Sequence, residues 1–336
     1  MPWTLPDDLP SSSEHWASPE FRDELTAWVT EQVGEPRAMQ QVKLRSWSTV
    51  WRVETDDGVF YAKQNCPLQN FEAALLAELR ILAPDDIVPV TAVDTTRGFL
   101  LTPDQGPVIA QGDEATNLRV WRDLVVAAFR LQRAVAPDVA GLVTRVGLTR
   151  MPLERAEEYA ADRVEALAAL PAHDPRRLDP EIAIRLRRHL PTVGRWAEEV
   201  AALGLPLTLN HNDLHENNAF DTPTGLRFFD FGDTVVSHPL EVLLIPLNIV
   251  GGDLDGGPGD PRVLAVADAA LEVWSDLAPM RDLRAALPAA LQLGRLARTE
   301  SWLRCLPSMN PAERAEFGGT AATWLATLTE DAPARF

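Results

Sequence analysis

The first third of the chain alternates between polar and apolar positions in short runs. Between Gln40 and Gln64, three runs rich in β-branched and aromatic residues are separated by turn-forming residues, including the stretch 55–58. This spacing predicts antiparallel strands joined by hairpins. Residues 70–82 have the spacing of a helix, and residues 88–106 predict two more strands joined by a turn.

The pattern changes after Gly106. Most of residues 115–330 have helical periodicity, with short strands predicted near 207–210 and 226–230. The stretch 251–260, rich in Gly and Asp, is predicted to be a non-helical loop. The sequence therefore predicts an α+β protein with a small strand-rich N-terminal lobe and a large, mainly helical C-terminal lobe.

Three segments follow from this division. Residues 1–35 form an N-terminal extension, in which Ser18 and Pro19 are a capping residue and a first-turn proline. They predict a helix that ends before Gly34 and packs on the small lobe. Residues 36–103 form the small lobe and residues 104–336 the large one, and a cleft between two such lobes is a common place for a small-molecule site.

Composition and charge limit the function classes. The chain of 336 residues has no apolar run of the roughly 18–20 residues that a membrane span needs, so we expect no membrane partner. Its start is acidic and Pro-rich without the basic segment of a secretory signal, and its two cysteines lie far apart, so we expect a cytoplasmic protein. The 49 acidic and 31 basic residues give a net charge of −18, which argues against nucleic acid as a partner. The acidic excess serves either solubility or the steering of a cationic substrate.

The most informative stretch is "HNDLHENN" followed by "FFDFGD". It places His211, Asp213, Asn218 and Asp230 beside the two short predicted strands of the large lobe. Carboxylate and amide oxygens suit Mg²⁺, and a carboxylate can orient a hydroxyl group. The alternative is an acidic turn in which the carboxylates only cap the backbone. A zinc site at His211 and His215 is disfavoured, because the Glu of the HExxH motif is absent.

The paired motif resembles that of the aminoglycoside phosphotransferase and choline kinase group of small-molecule kinases. The resemblance implies a bilobal protein-kinase-like fold, ATP (or GTP) and Mg²⁺ as cofactors, and transfer of a phosphoryl group to a small acceptor. By resemblance Asp213 orients the acceptor hydroxyl or accepts its proton, Asn218 and Asp230 bind the metal, and His211 supports the loop backbone. The residue two positions after Asp213 is His215 instead of Lys, and no Ala-Pro-Glu segment follows "DFGD". Both features argue against a protein substrate.

The resemblance also implies a nucleotide-binding lysine, Lys63, at the end of the third strand. Such a lysine contacts the α- and β-phosphates and pairs with a glutamate of the following helix, here Glu72 or Glu78. At about 100° per residue, Glu78 lies close to Phe71 and Leu82 on the helix surface. Because a carboxylate on the apolar side needs a cation, we expect Glu78 to pair with Lys63, whereas the alternative is a solvated Glu78.

The loop over the phosphates is expected between the first two strands, where no glycine is present. Backbone N–H groups and the hydroxyls of Ser46, Ser48 and Thr49 are the candidate phosphate contacts, unless the loop is an ordinary hairpin turn. By resemblance the adenine lies at the connector between the lobes, against the backbone from Thr102 to Gln105.

The sequence gives the least information about the acceptor. Glu241 and three loop acids, Asp253, Asp255 and Asp260, are candidates for binding ammonium groups, although loop acids are more often simply solvated. Trp302 and Trp324 lie in helical stretches and are expected to be core residues. We therefore expect a small, amine-bearing and cationic acceptor, such as an aminoglycoside or other antibiotic, an amino sugar or a choline-like amine. The alternative is a catalytically inactive, kinase-like nucleotide-binding protein.

Overall fold

The strands described by the structure lie in one five-stranded sheet and two two-stranded sheets. The computed structural model describes residues 3–336. Within this range the strands, in chain order, are β1 (Ala38–Leu44), β2 (Ser48–Thr55), β3 (Gly58–Asn65), β4 (Ala92–Asp94), β5 (Phe99–Pro103), β6 (Thr208–Asn210), β7 (Ala219–Thr222), β8 (Gly225–Phe228) and β9 (Val235–Ser237).

Helices make up most of the remainder. In chain order they are α1 (Ser12–Trp16), α2 (Pro19–Val33), α3 (Glu72–Leu82), α4 (Glu114–Val135), α5 (Val139–Val146), α6 (Ala156–Ala168), α7 (Pro180–Ala201), α8 (Leu244–Asp253), α9 (Pro261–Leu271), α10 (Met280–Cys305), α11 (Pro311–Phe317) and α12 (Thr320–Ala326). The predicted α+β division into a strand-rich and a helical part is confirmed.

The antiparallel sheet of the small lobe has the order β1-β2-β3-β5-β4. Strands β2 and β3 pair in register, beginning with Ser48 opposite Asn65. Because side chains alternate between the two faces of a strand, Ser48 and Val50 lie on one face of β2. Thr49 and Trp51 lie on the other face, which is the face covered by the N-terminal helices.

Helix α2 covers that face of the sheet. Its first turn has the predicted cap, since Ser18 Oγ accepts from the backbone N–H of Phe21 at 3.2 Å and Pro19 follows directly. The helix ends at Gly34, whose φ of 79° favours glycine. The predicted helix and its packing on the small lobe are therefore confirmed. The buried cluster that joins it to the sheet contains Trp16, Phe21, Leu25, Trp28, Val29, Trp51, Val53, Ala62, Cys66, Phe99 and Leu101.

The N-terminal segment also contacts the large lobe. Asp8 lies 2.6 Å from the guanidinium of Arg314, and the backbone N–H of Leu9 donates to the carbonyl of Pro307 at 2.8 Å. Residues 3–33 therefore contact both lobes. They form a second link between the lobes, beside the connector that follows β5.

The large lobe is built around the long helix α10. Most of its residues are buried, and it contacts α6, α7, α9 and α12. The two-stranded sheet formed by β6 and β9 rests on α4, because Gln132 Nε2 donates to the carbonyl of Leu209 at 2.8 Å and Thr208 Oγ1 donates to that of Gln132 at 2.8 Å. These strands hold the two ends of the acidic segment between Asn210 and Val235.

One predicted loop begins later than expected. Helix α8 includes Gly251 and Gly252, so the prediction of a non-helical stretch was wrong for residues 251–253. A helical glycine costs only about 1 kcal/mol relative to alanine, and the buried side chains of Leu247 and Val250 hold this helix against the core. From Leu254 to Asp260 the chain is irregular, as predicted. Within residues 3–336, no helix is both long and apolar enough to cross a bilayer.

Candidate functional site

A cleft of about 340 Å³ lies between the sheet and the large lobe. One wall is the face of the sheet opposite α2, and the other is formed by the segment around Phe229. The lining is mainly apolar, with a few charged groups at one end, which is typical of small-molecule sites. Its side chains include Val50, Lys63, Glu72, Leu76, Val88, Leu100, Thr102, Gln105, Phe220, Phe229 and Asp230.

Lys63 lies at the charged end of this cleft. Its Nζ is 2.5 Å from Asp230 Oδ1 and 2.7 Å from Glu72 Oε2, and its side chain is only 12% exposed. Burial alone would lower the pKa of Lys63, but the two carboxylates raise it above its ordinary value, so the amine stays protonated. For Asp230, burial is outweighed by the charges of Lys63 and Lys43, which hold the pKa of Asp230 below its ordinary value.

The partner of Lys63 on helix α3 is Glu72, and the predicted pairing with Glu78 was wrong. Glu78 instead lies 2.7 Å from Arg145 on the outer side of α3. The error came from defining the apolar face of α3 by two residues near the ends of the helix, Phe71 and Leu82. Its buried leucines are Leu75, Leu76 and Leu79, and Glu72 lies within about 60° of each of them at 100° per residue.

Asp213 lies in the turn after β6, and each of its carboxylate oxygens has its own partners. Oδ1 is 3.3 Å from the guanidinium of Arg298, whereas Oδ2 is 3.5 Å from His215 Nε2 and 3.4 Å from Asn218 Nδ2. Burial opposes ionisation, but the hydrogen bond from His215 and the charge of Arg298 outweigh it and lower the pKa of Asp213. Asp213 is therefore a carboxylate at neutral pH. His211 supports the loop as expected, with Nε2 2.9 Å from the carbonyl of Phe229.

The backbone around both acids is unusual. Asn212 and Asp230 have φ values of 63° and 62°, in the left-handed region that Asn and Asp tolerate better than most residues. Asn212 is held there by bonds from its Nδ2 to the carbonyl of Ala297 at 2.9 Å and to Ser301 Oγ at 3.1 Å. Such local strain persists where the surroundings impose it, and it concentrates at functional sites.

Asn218 and Asp230 are brought together by the hairpin of β7 and β8. The backbone N–H of Phe229 donates to the carbonyl of Asn218 at 3.1 Å, so the residue preceding Asp230 is bonded directly to Asn218. Oxygen donors from a carboxylate and an amide suit Mg²⁺, which usually takes one or two protein ligands and completes its sphere with phosphate and water. The residues present therefore fit a nucleotide-bound Mg²⁺, with Asn218 and Asp230 as the side chains that would hold it.

The turn between β1 and β2 meets the predictions only in part. Thr49 Oγ1 donates to the carbonyl of Lys43 and accepts from Gln41 Nε2, and its side chain lies on the α2 side of the sheet. Its predicted phosphate contact was therefore wrong, because strand alternation turns the hydroxyl away from the cleft. Ser48 lies on the cleft side, and its buried hydroxyl has no hydrogen-bond partner among residues 3–336. Ser46, in the turn itself, is also buried.

The connector lies where the sequence placed it. Thr102 is paired with Tyr61 across β3 and β5, and both side chains line the apolar part of the cleft. Gln105 lies in the irregular segment that follows, and its Nε2 donates to the carbonyls of Pro103 and Asp104. Peptide groups from residue 102 to 106 therefore border the space opposite Lys63.

Sequence reasoning missed three further side chains near the acids. Lys43 of β1 lies 3.7 Å from Asp230, at an alternating strand position that could have indicated it. Asp233, the last residue of "DFGD", accepts from Gln69 Nε2 at 2.7 Å and lies 3.1 Å from Arg298. Arg298 comes from α10, and no local pattern marks it.

The acidic candidates for acceptor binding lie apart from this cleft. Glu241 is buried, and its Oε1 accepts from the backbone N–H of His238 at 3.3 Å. Asp260 caps α9 and lies 2.7 Å from Arg262, whereas Asp253 and Asp255 are exposed. Glu241 and Asp260 are thus engaged in local structure, and the binding of ammonium groups by any of these four acids stays a prediction.

Comparisons with known proteins agree with this geometry. Residues 41–283, well over half of the chain, match the family described as "Phosphotransferase enzyme family". No curated protein matches the chain in sequence.

Solved structures match the fold over most of the chain. A Plasmodium vivax ethanolamine kinase is similar with a TM-score of 0.61 at 11% identity, covering 86% of this chain and 81% of that one. An amicoumacin kinase in complex with AMP-PNP, Ca²⁺ and Ami has a TM-score of 0.56 at 13% identity, covering 96% and 97%. A spectinomycin phosphotransferase in complex with ADP and spectinomycin has a TM-score of 0.52 at 10% identity, covering 93% and 95%. At these identities the likeness establishes the shared fold, and the family match establishes membership. The chain therefore belongs to the phosphotransferase enzyme family.

Proposed function

We propose that the protein is an ATP- and Mg²⁺-dependent O-phosphotransferase that acts on a hydroxyl group of a small, amine-bearing molecule. The observation that carries this proposal is the convergence of Lys63 and Asp230 at one end of the cleft, with Asp213 and Asn218 on the adjoining loop. Phosphoryl transfer needs positioned charges more than covalent chemistry, and this arrangement supplies them.

The lining of the cleft supports one orientation of the nucleotide. Apolar walls near Val88 and Leu100 suit a flat base, and the peptide groups of the connector can hydrogen-bond its edge. The phosphates then lie toward Lys63, with the Ser48 hydroxyl, which has no partner within the described part of the chain, on the same face of the sheet. A bound metal ion would neutralise charge on the transferred phosphoryl group, held by Asn218 and Asp230.

Asp213 is the group that meets the acceptor. As a carboxylate it accepts a hydrogen bond from the acceptor hydroxyl, which orients the oxygen for in-line attack on the terminal phosphorus. The new O–P bond forms as the bond to the leaving ADP breaks, and the hydroxyl proton passes to Asp213. A lowered pKa makes Asp213 a weak base, so orientation is its main contribution.

An amine-bearing acceptor is favoured by charge. The net charge of −18 attracts cations to the protein surface and would raise their local concentration. The similar structures include an ethanolamine kinase and a spectinomycin phosphotransferase, which supports a small acceptor.

The test is phosphorylation of a panel of acceptors with ATP or GTP and Mg²⁺, followed by ADP or GDP release and mass spectrometry. The panel contains ethanolamine, choline, spectinomycin, hygromycin B, amino sugars, and neutral sugars as uncharged controls. We expect turnover with at least one amine-bearing acceptor and a loss of roughly a hundredfold or more in Asp213→Asn, the size seen for single preorganised contacts. The matched control is Asp221→Asn, an exposed aspartate on β7.

Two outcomes would contradict the proposal. Equal turnover in Asp213→Asn and wild type would remove the assigned role of Asp213. A Mg²⁺-dependent thermal shift with ATP but no turnover on any acceptor would instead favour the catalytically inactive nucleotide-binding protein.

A further inference from the structure

Arg298 lies at the centre of the acidic loop although it comes from α10. Its Nη1 donates to the carbonyl of Asn212 at 2.6 Å and to Asp233 Oδ2 at 3.1 Å, and it lies 3.3 Å from Asp213 Oδ1. The side chain is only 9% exposed. One guanidinium thus faces two carboxylates and the backbone of the residue that precedes Asp213.

Because of this contact, the two carboxylate oxygens of Asp213 face different partners. Oδ1 faces the guanidinium of Arg298, whereas Oδ2 faces Asn218 and His215. A carboxylate held from one side by a rigid, planar cation cannot rotate without losing that contact. Its remaining oxygen therefore has a fixed direction.

We propose that Arg298 is a positioning residue for phosphoryl transfer, which fixes the Asp213 carboxylate so that one oxygen points at the acceptor hydroxyl. This inference rests on the proposed function, and it adds a residue that the family match does not include. The match ends at residue 283, and Arg298 lies beyond it. Arg298 does not touch the reacting atoms and acts through Asp213.

A purely structural role is already filled by other contacts between α10 and the loop. Arg304, six residues further along α10, donates to the carbonyls of Asp233 at 2.8 Å and Thr234 at 3.0 Å. Asn212 is held separately by Ala297 and Ser301. Both arginines are buried, but only Arg298 reaches Asp213, so Arg304 is the matched control.

The experiment compares Arg298→Gln, Arg298→Lys and Arg304→Gln with the acceptor found for the wild type. We expect kcat to fall about 10- to 100-fold in Arg298→Gln, the range for residues that orient an active group, with KM for ATP changed less than about twofold. Arg298→Lys keeps the charge and should recover part of kcat. Arg304→Gln should lose about as much thermal stability as Arg298→Gln, whereas its kcat should stay within about threefold of the wild type.

A second measurement separates an action through Asp213 from a general loss of structure. In the Asp213→Asn background, adding Arg298→Gln should change kcat by less than about twofold, because the group that Arg298 positions is already gone. Equal kcat in Arg298→Gln and Arg304→Gln would overturn the inference. A double variant of Asp213 and Arg298 whose loss of kcat equals the product of the two single losses would overturn it as well. Absence of turnover in the wild type would instead overturn the proposed function, so the two failures are distinguishable.

Discussion

Glu72 joins Lys63 to the turn that carries Asp230. Its Oε2 lies 2.7 Å from Lys63 Nζ, and its Oε1 accepts from the backbone N–H of Phe231 at 2.8 Å. Asn65 Nδ2 also donates to this carboxylate, at 2.6 Å. One buried side chain of the small lobe therefore fixes both the proposed phosphate-binding lysine and the proposed metal-binding turn of the large lobe.

The first prediction concerns this link. Glu72→Gln keeps the shape of the side chain but removes the charge opposite Lys63. We expect kcat/KM for ATP to fall at least about tenfold, because breaking a buried ion pair costs several kcal/mol and Lys63 loses its fixed position. The matched control is Glu78→Gln on the same helix, which should stay within about threefold of the wild type because Glu78 pairs with the half-exposed Arg145. Equal losses in the two variants would contradict the assignment of Glu72.

Local sequence patterns predicted the acidic residues of the site, but they did not predict the residues from distant parts of the chain that pair with them. Asp213, Asn218 and Asp230 stand within one continuous stretch, so their types and spacing could be interpreted without tertiary structure. The partner of Lys63 required the correct helix face, and three buried leucines outweighed the two end residues that were used to define it. Arg298 could not be predicted, because only the packing of α10 places it beside Asp213.

Strand alternation explains a further difference. The three hydroxyl residues of the β1–β2 turn looked equivalent in the sequence. Once β2 is placed, Thr49 must point toward α2 and Ser48 toward the cleft. The period of two was available from the sequence, but the face that meets the cleft was not, because it depends on where α2 packs.

The second prediction concerns Asp230. Asp230→Asn removes a negative charge that both Lys63 and a metal ion would use. We expect kcat to fall on the order of a hundredfold or more, and the Mg²⁺-dependent part of the thermal shift with ATP to disappear. The measurement is thermal unfolding with ATP, with and without Mg²⁺, beside a turnover assay. An unchanged Mg²⁺ dependence in this variant would exclude Asp230 as a metal ligand.

The third prediction is a pH dependence of stability from Glu241. Burial raises the pKa of Glu241 to about 8, from 4.5. Between these values the unfolded chain is deprotonated while the folded protein keeps the proton, so this contribution to stability falls as pH rises from 4.5 to 8. Burial also lowers the pKa of the neighbouring His238 to about 3, so the contribution of His238 is lost as pH falls below 6.5.

Glu241→Gln replaces the protonated acid with a neutral side chain of similar shape. The difference in unfolding free energy between this variant and the wild type should shift in favour of the variant by up to about 1.4 kcal/mol per pH unit between pH 6 and 8. Urea unfolding at pH 6, 7 and 8 measures this difference. Glu272→Gln, at an exposed position, should show no such trend. A constant difference across this range for Glu241→Gln would mean that Glu241 is ionised in the folded protein.

The fourth prediction concerns the turn over the proposed phosphate site, which lacks glycine and is fixed by an aromatic contact between the lobes. The ring of Trp47 packs edge-on against Trp302 at 5.4 Å and Phe317 at 5.5 Å, both from the large lobe. Trp47→Ala should cost about 2–3 kcal/mol of stability, less than a fully buried tryptophan, because these rings are only partly covered.

The same substitution should also weaken ATP binding, because a turn released from the large lobe must be ordered again when the nucleotide binds. We expect the dissociation constant for ATP, measured by calorimetry with Mg²⁺, to rise several-fold in Trp47→Ala and to change little in Trp47→Phe. Leu44→Ala, an exposed position in the same hairpin, controls for general loosening of the sheet edge. If Trp47→Ala lost stability but bound ATP as tightly as the wild type, the aromatic contact would serve only to hold the lobes together. The turn would then be ordered by the sheet alone.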